Sequence, residues 1–206
     1  MHAAIALSGD DGDPDLLRFR FSPPDNEAPA AVGVSGVIGR SSDAAILLLG
    51  LSRYSMGLQI DLAIRRRLDP EPPDHMHTMI DGGLLVGVEL ADGRTVVAGR
   101  PAWPPTDEPA LAYRGGGGGG REWSSSLWLT PAPPPGDLVI VVACPSLGVD
   151  ESRVVVPAEA LRTAAEATEV LWPREPDRAQ PDVQPPPADV PPGGWFERAL
   201  AGETTA

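Results

Sequence analysis

The amino-acid sequence predicts a mostly β domain: an antiparallel β-sandwich of about seven or eight strands, with one C-terminal helix and disordered ends. Three observations favour this fold class. Runs of alternating apolar and polar residues, the period-two pattern of a half-buried strand, recur through the middle of the chain. Turn signals separate these runs about every 8–12 residues. Only one stretch is a convincing helix, and it follows the last strand pattern.

The first predicted hairpin has the clearest alternation. One face of LQIDLAIR carries only apolar residues, which are Leu58, Ile60, Leu62 and Ile64. The preceding AAILLLGLSRY is the expected partner strand, because residues 55–57 supply a turn between the two runs.

Five further strand patterns follow. LLVGVEL and RTVVAG are separated by Asp92-Gly93, a strong hairpin signal because both positions tolerate positive φ. REWSSSLWL and DLVIVVAC are predicted to pair with each other across the rigid PAPPPG connection. SRVVV is the last predicted strand.

The single predicted helix covers residues 157–172, PAEALRTAAEATEVLW. Pro157 is tolerated in the first turn, and Glu159 is stabilised by the positive end of the helix dipole. A weakly apolar stripe recurs at helical spacing, at Leu161, Ala165, Thr168 and Trp172. We expect this stripe to pack on a sheet or to cover an open sheet edge.

The predicted sandwich domain spans residues 28–173, between a disordered N-terminal extension at 1–27 and a disordered, acidic, proline-rich tail at 174–206. Both ends are rich in Pro, Gly or Asp, and they cannot bury enough apolar surface to offset the entropy of ordering their backbone. In the tail, the segment around Trp195 has helical spacing and could dock, although a frayed terminus is the simpler interpretation. The fragment 28–173 is therefore expected to be about as stable as the whole chain.

Composition excludes several classes of protein. The 206 residues carry a formal net charge of −13, which disfavours binding to nucleic acid or to an anionic membrane. Cys144 is the single cysteine, so neither a disulfide framework nor a cysteine-rich zinc site is expected. No run approaches the roughly 18 apolar residues of a membrane span, and residues 3–7 are too short for the apolar region of a signal peptide. We therefore expect a cytoplasmic protein.

The sequence also offers a weak metal site and a weak catalytic inventory. His75 and His77 project from one side of an extended chain near two aspartates, but an exposed loop without a third histidine favours no bound metal. Serines 124–126 could supply a nucleophile, yet no G-x-S-x-G elbow is present. Cys144 lies in an apolar strand, where it is most simply a small core side chain. These patterns favour a non-catalytic protein without a cofactor.

A run of arginines closes one predicted strand. Residues 65–67 and Arg53 could together form a positive patch for a phosphate or an acidic peptide. More often such arginines pair with nearby acids such as Asp61 or Asp69, or solvate the end of a strand.

The stretch YRGGGGGGREW places six consecutive glycines between two arginines and two aromatic residues. It lacks the ending of a P-loop and no helix pattern follows it, so nucleotide binding is not expected. We predict that residues 115–120 form a slack hairpin loop, so that halving it would change the stability by only about 0.6 kcal/mol. Alternatively, the glycine amides could cup an anion, with Arg114 and Arg121 adding positive charge.

Aromatic residues surround this predicted loop. Trp123 and Trp128 lie on the next strand with opposite parity, so one should enter the core while the other faces outward. Tyr113 precedes the glycines, and Trp103 lies in the earlier PAWPP segment. An exposed tryptophan beside a pliable loop and a proline-rich rim is typical of a protein-docking surface.

Three linked motifs, GGGGGGREW, WLTPAPPPGDL and LWP after the helix, resemble a family of uncharacterised proteins that is common in high-GC Gram-positive bacteria. The resemblance covers roughly residues 32–173, the part that the strand pattern marks as folded. It implies a β-rich domain of unknown activity, so it assigns no catalytic residue. Cys144-Pro145 departs from the pattern, in which an aromatic residue precedes this proline.

The leading functional interpretation is a non-catalytic interaction domain that engages a protein partner through its aromatic and proline-rich loop face. The second is a small-molecule or anion-binding domain that uses Arg114, Arg121 and the glycine amides. The third is a hydrolytic or metal-dependent enzyme centred on His75 and His77. The sequence does not reveal the partner, the pathway or the oligomeric state.

Overall fold

The structure, a computed structural model, describes residues 19–69, 83–99 and 108–174. The chain divides into two compact units, residues 1–173 and 174–206, and the elements below belong to the first unit. The first six strands are β1 (Glu27–Ala28), β2 (Ala30–Val32), β3 (Gly36–Arg40), β4 (Ala44–Tyr54), β5 (Gly57–Arg66) and β6 (Leu85–Glu89). The others are β7 (Thr95–Val97), β8 (Ala110–Gly119), β9 (Glu122–Thr130), β10 (Leu138–Cys144), β11 (Val149–Val156) and β12 (Glu169–Val170), with the helix α1 (Ala158–Ala167) between β11 and β12.

The strands form three antiparallel sheets, which confirms the predicted fold class. The largest sheet has the order β2-β4-β5-β9-β8, and β3 also pairs with β4. A four-stranded sheet has the order β11-β10-β6-β7, and β1 pairs with β12 as a two-stranded ribbon. The described residues contain twelve strands, more than the seven or eight predicted, because the shortest strands have no readable alternation.

One continuous core lies between the inward faces of the two larger sheets. Leu58, Ile60 and Leu62 of β5 are fully buried, and Ile140 and Cys144 of β10 are equally inaccessible. Each such Leu or Ile contributes about 1.5–3 kcal/mol through the removal of its apolar surface from water. The period-two pattern of β5 therefore identified its core face correctly, and Cys144 of β10 is a core side chain as predicted.

Two predicted hairpins are confirmed. Tyr54 pairs with Gly57 at the end of β4 and β5, which leaves a two-residue turn. β6 and β7 pair as expected, but their loop has three residues rather than two. The Gly93 amide donates to the Leu90 carbonyl at 2.9 Å, and the Leu90 amide donates to the Arg94 carbonyl at 2.8 Å. Gly93 has φ +85°, so it takes the left-handed position of a bulged turn.

The predicted pairing of β9 with β10 is wrong. β9 lies between β5 and β8 in the large sheet, whereas β10 lies between β11 and β6 in the small one. β9 already has a local partner across a two-residue turn, and its other edge pairs with β5. The proline-rich connection therefore carries the chain from one sheet to the other.

The helix is shorter than predicted. It begins at Ala158, whose amide donates to the Asp137 carboxylate at 2.8 Å, and it ends before Thr168. The Thr168 hydroxyl donates to the Ala164 carbonyl and lies 2.9 Å from the Arg53 carbonyl, while the main chain becomes extended. The next residues pair with β1, so Trp172 leaves the helical stripe and is 56% exposed. The residues predicted to form the last turn of the helix thus pair with β1 instead. The helix packs against β2 and β4.

Ordered structure also begins earlier than the predicted boundary at residue 28. Phe19, Arg20 and Asn26 are buried, and the Trp128 indole nitrogen donates to the Phe19 carbonyl at 2.6 Å. Asn26 also donates a hydrogen bond to the Trp172 carbonyl at 3.0 Å. The predicted boundary at residue 28 therefore excludes residues that contact the folded domain, among them Phe19 and Asn26. Trp195 and its neighbours lie outside the described residues.

No helix in the described part of the chain is long and apolar enough to cross a membrane.

Candidate functional site

The glycine run is a strand and not a slack loop, which corrects the prediction. Residues 115–119 pair in register with residues 122–126 of β9, and only Gly120 and Arg121 form the turn. Gly120 has φ +59°, the conformation that the first loop position of a type II′ hairpin requires. A glycine run carries no apolar alternation, so the sequence pattern gave no sign of a strand here.

Successive glycines of β8 have different surroundings. A Cβ atom at Gly116 would lie 2.6 Å from the Ser124 carbonyl oxygen, and Gly118 is equally crowded by Glu122. At Gly115, Gly117 and Gly119 a Cβ atom would meet nothing within 4 Å. Two of the glycines are therefore required by the close approach of β9, whereas the other three leave the outward face of the strand bare.

Gly115, Gly116 and Gly117 form one wall of a groove of about 420 Å³ on the outer face of the large sheet. Its polar floor comes from neighbouring strands, since Asp61 of β5 pairs with Ser126 of β9. The Ser126 hydroxyl donates to Asp61 Oδ1 at 2.5 Å, and the Gln59 amide donates to the same carboxylate at 3.1 Å. Asp61 and Ser126 alternate with core residues in their strands, which indicates that both face outward. The alternation does not show that the two strands are neighbours.

The two arginines that flank the glycines do not converge. Arg121 forms an ion pair with Asp69 at 3.1 Å, at the turn end of the hairpin. Arg114 lies at a bulge seven residues earlier, which is about 20 Å away along an extended strand. Arg114 is exposed and forms no ion pair with any described residue. Of the two arginines predicted to bind an anion, Arg121 is therefore already paired, and Arg114 is the one without an ion pair among the described residues.

Neither tryptophan of β9 faces solvent, so the predicted exposed aromatic anchor is wrong. Trp123 points into the core and is 5% exposed. Trp128 does lie on the outer face, opposite Gln59, but it is fully buried. The N-terminal segment covers it at Phe19, and the Tyr54 ring packs edge-on against it with centroids 5.5 Å apart. The alternation along β9 correctly predicted that Trp123 and Trp128 lie on opposite faces. It could not predict that the N-terminal segment covers Trp128.

The two tyrosines near the hairpin are both partly buried. Burial raises the pKa of Tyr113, whose hydroxyl donates weakly to the Leu84 carbonyl at 3.4 Å. Burial also raises the pKa of Tyr54, which the charge of Arg114 lowers and that of Asp61 raises. Both groups stay neutral at physiological pH. Trp103 lies outside the described residues.

The glycine half of β8 is an open sheet edge. Gly119 and Glu122 close the two-residue turn, so they form a hydrogen-bonded pair. Such pairs recur at every second residue, so Gly115 and Gly117 also bond to β9 through their main chains. The amides and carbonyls of the alternate glycines then point away from β9. In the described part of the chain no strand pairs with this edge, whereas α1 packs against β2 at the far side of the sheet.

The predicted histidine site, at His75 and His77, lies outside the described residues. Within the described ranges, no group of three or more His, Cys, Asp or Glu side chains could hold a metal ion. Comparisons of the chain with protein-family models, with curated proteins and with solved structures find no match. The resemblance to the Gram-positive family therefore stays a prediction.

Proposed function

We propose that this protein is a non-catalytic interaction domain, which receives an extended peptide segment of a partner protein as an additional strand beside β8. The observation that carries the proposal is the glycine strand at an open sheet edge. This function keeps the interaction class predicted from the sequence, but it replaces the aromatic anchor by a main-chain surface.

The glycines suit this role for a physical reason. Main-chain hydrogen bonds supply the affinity in strand addition, and side chains beside the edge limit which segments can approach. Residues 115–119 have no side chains, and all but Gly117 are exposed. Natural sheets usually protect such edges with charges, prolines or a covering element. Here β7 contacts β8, but within the described residues no strand pairs with the free edge of residues 115–119.

Arg114 gives the partner a chemical signature. Its exposed guanidinium stands at the bulge where the available edge begins, and no described acid pairs with it. A carboxylate in the partner segment would complete a charge-assisted hydrogen bond at this point. We therefore expect an extended segment with an acidic residue at the Arg114 end.

The other two predicted functions have less support. An anion nest needs free glycine amides, but Gly115, Gly117 and Gly119 bond to β9, and Arg121 is paired with Asp69. Ser126 bonds to the Asp61 carboxylate, but the described residues contain no histidine that could complete a Ser-His-Asp triad. The absence of nucleic-acid binding remains a proposal that rests on the net charge of −13. A cytoplasmic location remains a proposal that rests on apolar runs too short for a membrane span.

Amide hydrogen exchange on the complex with a selected peptide tests strand addition directly. Binders would be selected from a displayed library of random peptides, and exchange would be measured on the free and the bound protein. We expect Gly116 and Gly118 to exchange fast when free and to become protected when bound. Gly115, Gly117 and Gly119 are the internal control, because β9 already protects them.

A charge variant tests the signature of the partner. Arg114→Gln should weaken acidic binders, whereas the same change at the exposed Arg153 should not. Protection confined to other elements would contradict strand addition. Concentration-dependent protection of the glycines in the free protein would instead identify a second copy as the occupant, and it would also overturn the proposal.

A further inference from the structure

A second concave site lies on another part of the domain, between the proline-rich connection and the helix. This pocket of about 380 Å³ is in the size range of small-molecule sites. One wall is formed by Pro133, Pro134 and Pro135, and the other by the helical residues Ala158, Leu161 and Ala165. Proline has no main-chain N–H, so the first wall is apolar and offers no donor.

Arg53 supplies a positive charge to this apolar pocket. It lies on β4, and the hydrogen bond between Thr168 and its carbonyl places it beside the end of α1. One guanidinium nitrogen, Nη1, donates to the carbonyls of Gly57, at 2.9 Å, and of Tyr54. The described residues provide no acceptor for Nε or Nη2. The nitrogens Nε and Nη2 of this partly buried cation are therefore left to donate to a ligand.

The charges around Arg53 do not neutralise it directly. Burial lowers the pKa of Arg53, and the charge of Glu27 partly reverses this effect. The Glu27 carboxylate is held by the main chain and hydroxyl of Ser55 and forms no ion pair with Arg53. At the rim, Arg162 is engaged by Glu159 at 2.6 Å and by Glu166 at 2.5 Å. Arg53 therefore remains the cation without a carboxylate partner in this pocket.

We propose that this pocket binds a small monocarboxylic acid, whose carboxylate pairs with Arg53 and whose short apolar chain lies between the proline wall and α1. The chemistry follows from the lining: one unpaired guanidinium can recognise one carboxylate through two parallel hydrogen bonds. Apart from the ion pair of Glu159 with Arg162, the remaining side chains of the lining are apolar, so they favour a hydrocarbon body over a polar one. This binding site is separate from β8, and it does not rest on the strand-addition proposal.

Octanoate is a suitable probe, with octylamine and 1-octanol as controls of equal chain length. Each compound would be titrated into the full-length protein, and the amide chemical shifts of Gly136, Ala158 and Ala165 would be followed. We expect saturable shifts at these residues with octanoate below its micelle concentration. Octanol should bind at least about tenfold more weakly, because it cannot form the ion pair, and octylamine should not bind.

Two pairs of variants locate the site. Arg53→Gln should weaken octanoate binding at least about tenfold, whereas Arg153→Gln on an exposed strand should have no effect. Ala165→Trp should fill the pocket and abolish binding, whereas Ala167→Trp on the same helix should not. The second pair decides the matter if Arg53→Gln fails to fold. Absence of saturable shifts, equal binding of octanol, or unchanged binding in Ala165→Trp would overturn the proposal.

Discussion

Gly116 and Gly117 are chemically identical neighbours whose surroundings make opposite demands on a side chain. A Cβ atom at Gly116 would contact the Ser124 carbonyl oxygen at 2.6 Å, whereas a Cβ atom at Gly117 would enter open space. The distinction arises because the two residues face opposite sides of one strand. The glycines of this run therefore meet two different structural requirements.

A matched pair of alanine variants measures this difference. Gly116→Ala should lower the free energy of unfolding by about 1–3 kcal/mol, because the strands must move apart. Gly117→Ala should leave it unchanged or raise it by up to about 1 kcal/mol, because alanine loses less backbone entropy. Urea unfolding of both variants is the measurement. Equal destabilisation by the two changes would contradict the assigned faces.

The two tyrosines allow a second test at the same scale. Burial raises the pKa of both Tyr113 and Tyr54, and these are the two tyrosines in the chain. Absorbance should therefore show less tyrosinate near pH 10 in the folded protein than in denaturant, where both groups titrate at this pH. Since the folded pKa exceeds the unfolded one, this contribution to stability is complete below about pH 10 and is lost as the pH rises further. Normal titration of the folded protein would contradict the burial of these rings.

At the scale of the element, the number of glycines in β8 sets the register between β8 and β9. β9 is held by β5 on its other edge, so its position is independent of β8. The glycines then determine which β9 residue each upstream β8 residue meets. Leu111, which is 5% exposed, lies on the core face opposite Leu129 because of this count.

Deletions within the glycine run test the register. Removing residues 117–119 shifts upstream β8 by an odd number, so it turns Leu111 from the core to the outer face. We expect a loss of at least about 1.5–3 kcal/mol from this one side chain, more than the 0.6 kcal/mol expected for a slack loop. Removing only residues 116–117 preserves the faces and should destabilise less. Thermal and urea unfolding compare the two deletions, and equal small effects would restore the loop interpretation.

At the scale of the whole molecule, the N-terminal segment completes the outer face of the large sheet. Trp128 is fully buried there because the main chain at Phe19 accepts its indole hydrogen bond. Phe19 itself is 6% exposed. A part of the chain distant in sequence thus removes from water a tryptophan that the sheet presents outward.

Two truncations isolate this contribution. Removing residues 1–25 should lower the free energy of unfolding by about 2–4 kcal/mol relative to removing residues 1–18, because a buried phenylalanine and one hydrogen bond are lost. Tryptophan fluorescence should shift to the red in the longer truncation as Trp128 becomes hydrated. If both truncated proteins unfold at the same urea concentration with the same emission, the cover contributes nothing.

The local pattern of the sequence determined the β class, the β4–β5 and β6–β7 hairpins, the core face of β5 and the burial of Cys144. These features follow from side-chain alternation and turn chemistry, which act between residues close along the chain. The same pattern showed that Trp123 and Trp128 lie on opposite faces. It could not show that both are buried.

Only the tertiary structure decided the strand order, the cover of Trp128, the end of α1 and the strand conformation of the glycines. Each depends on a partner distant in sequence: Phe19 for Trp128, β1 for the residues after Thr168, and β9 held by β5 for the glycine run. The pairing of Asp61 with Ser126, 65 residues apart, has the same origin. Long-range pairings are selected by the packing of the whole core, and a local pattern carries no information about which distant segment will supply the partner.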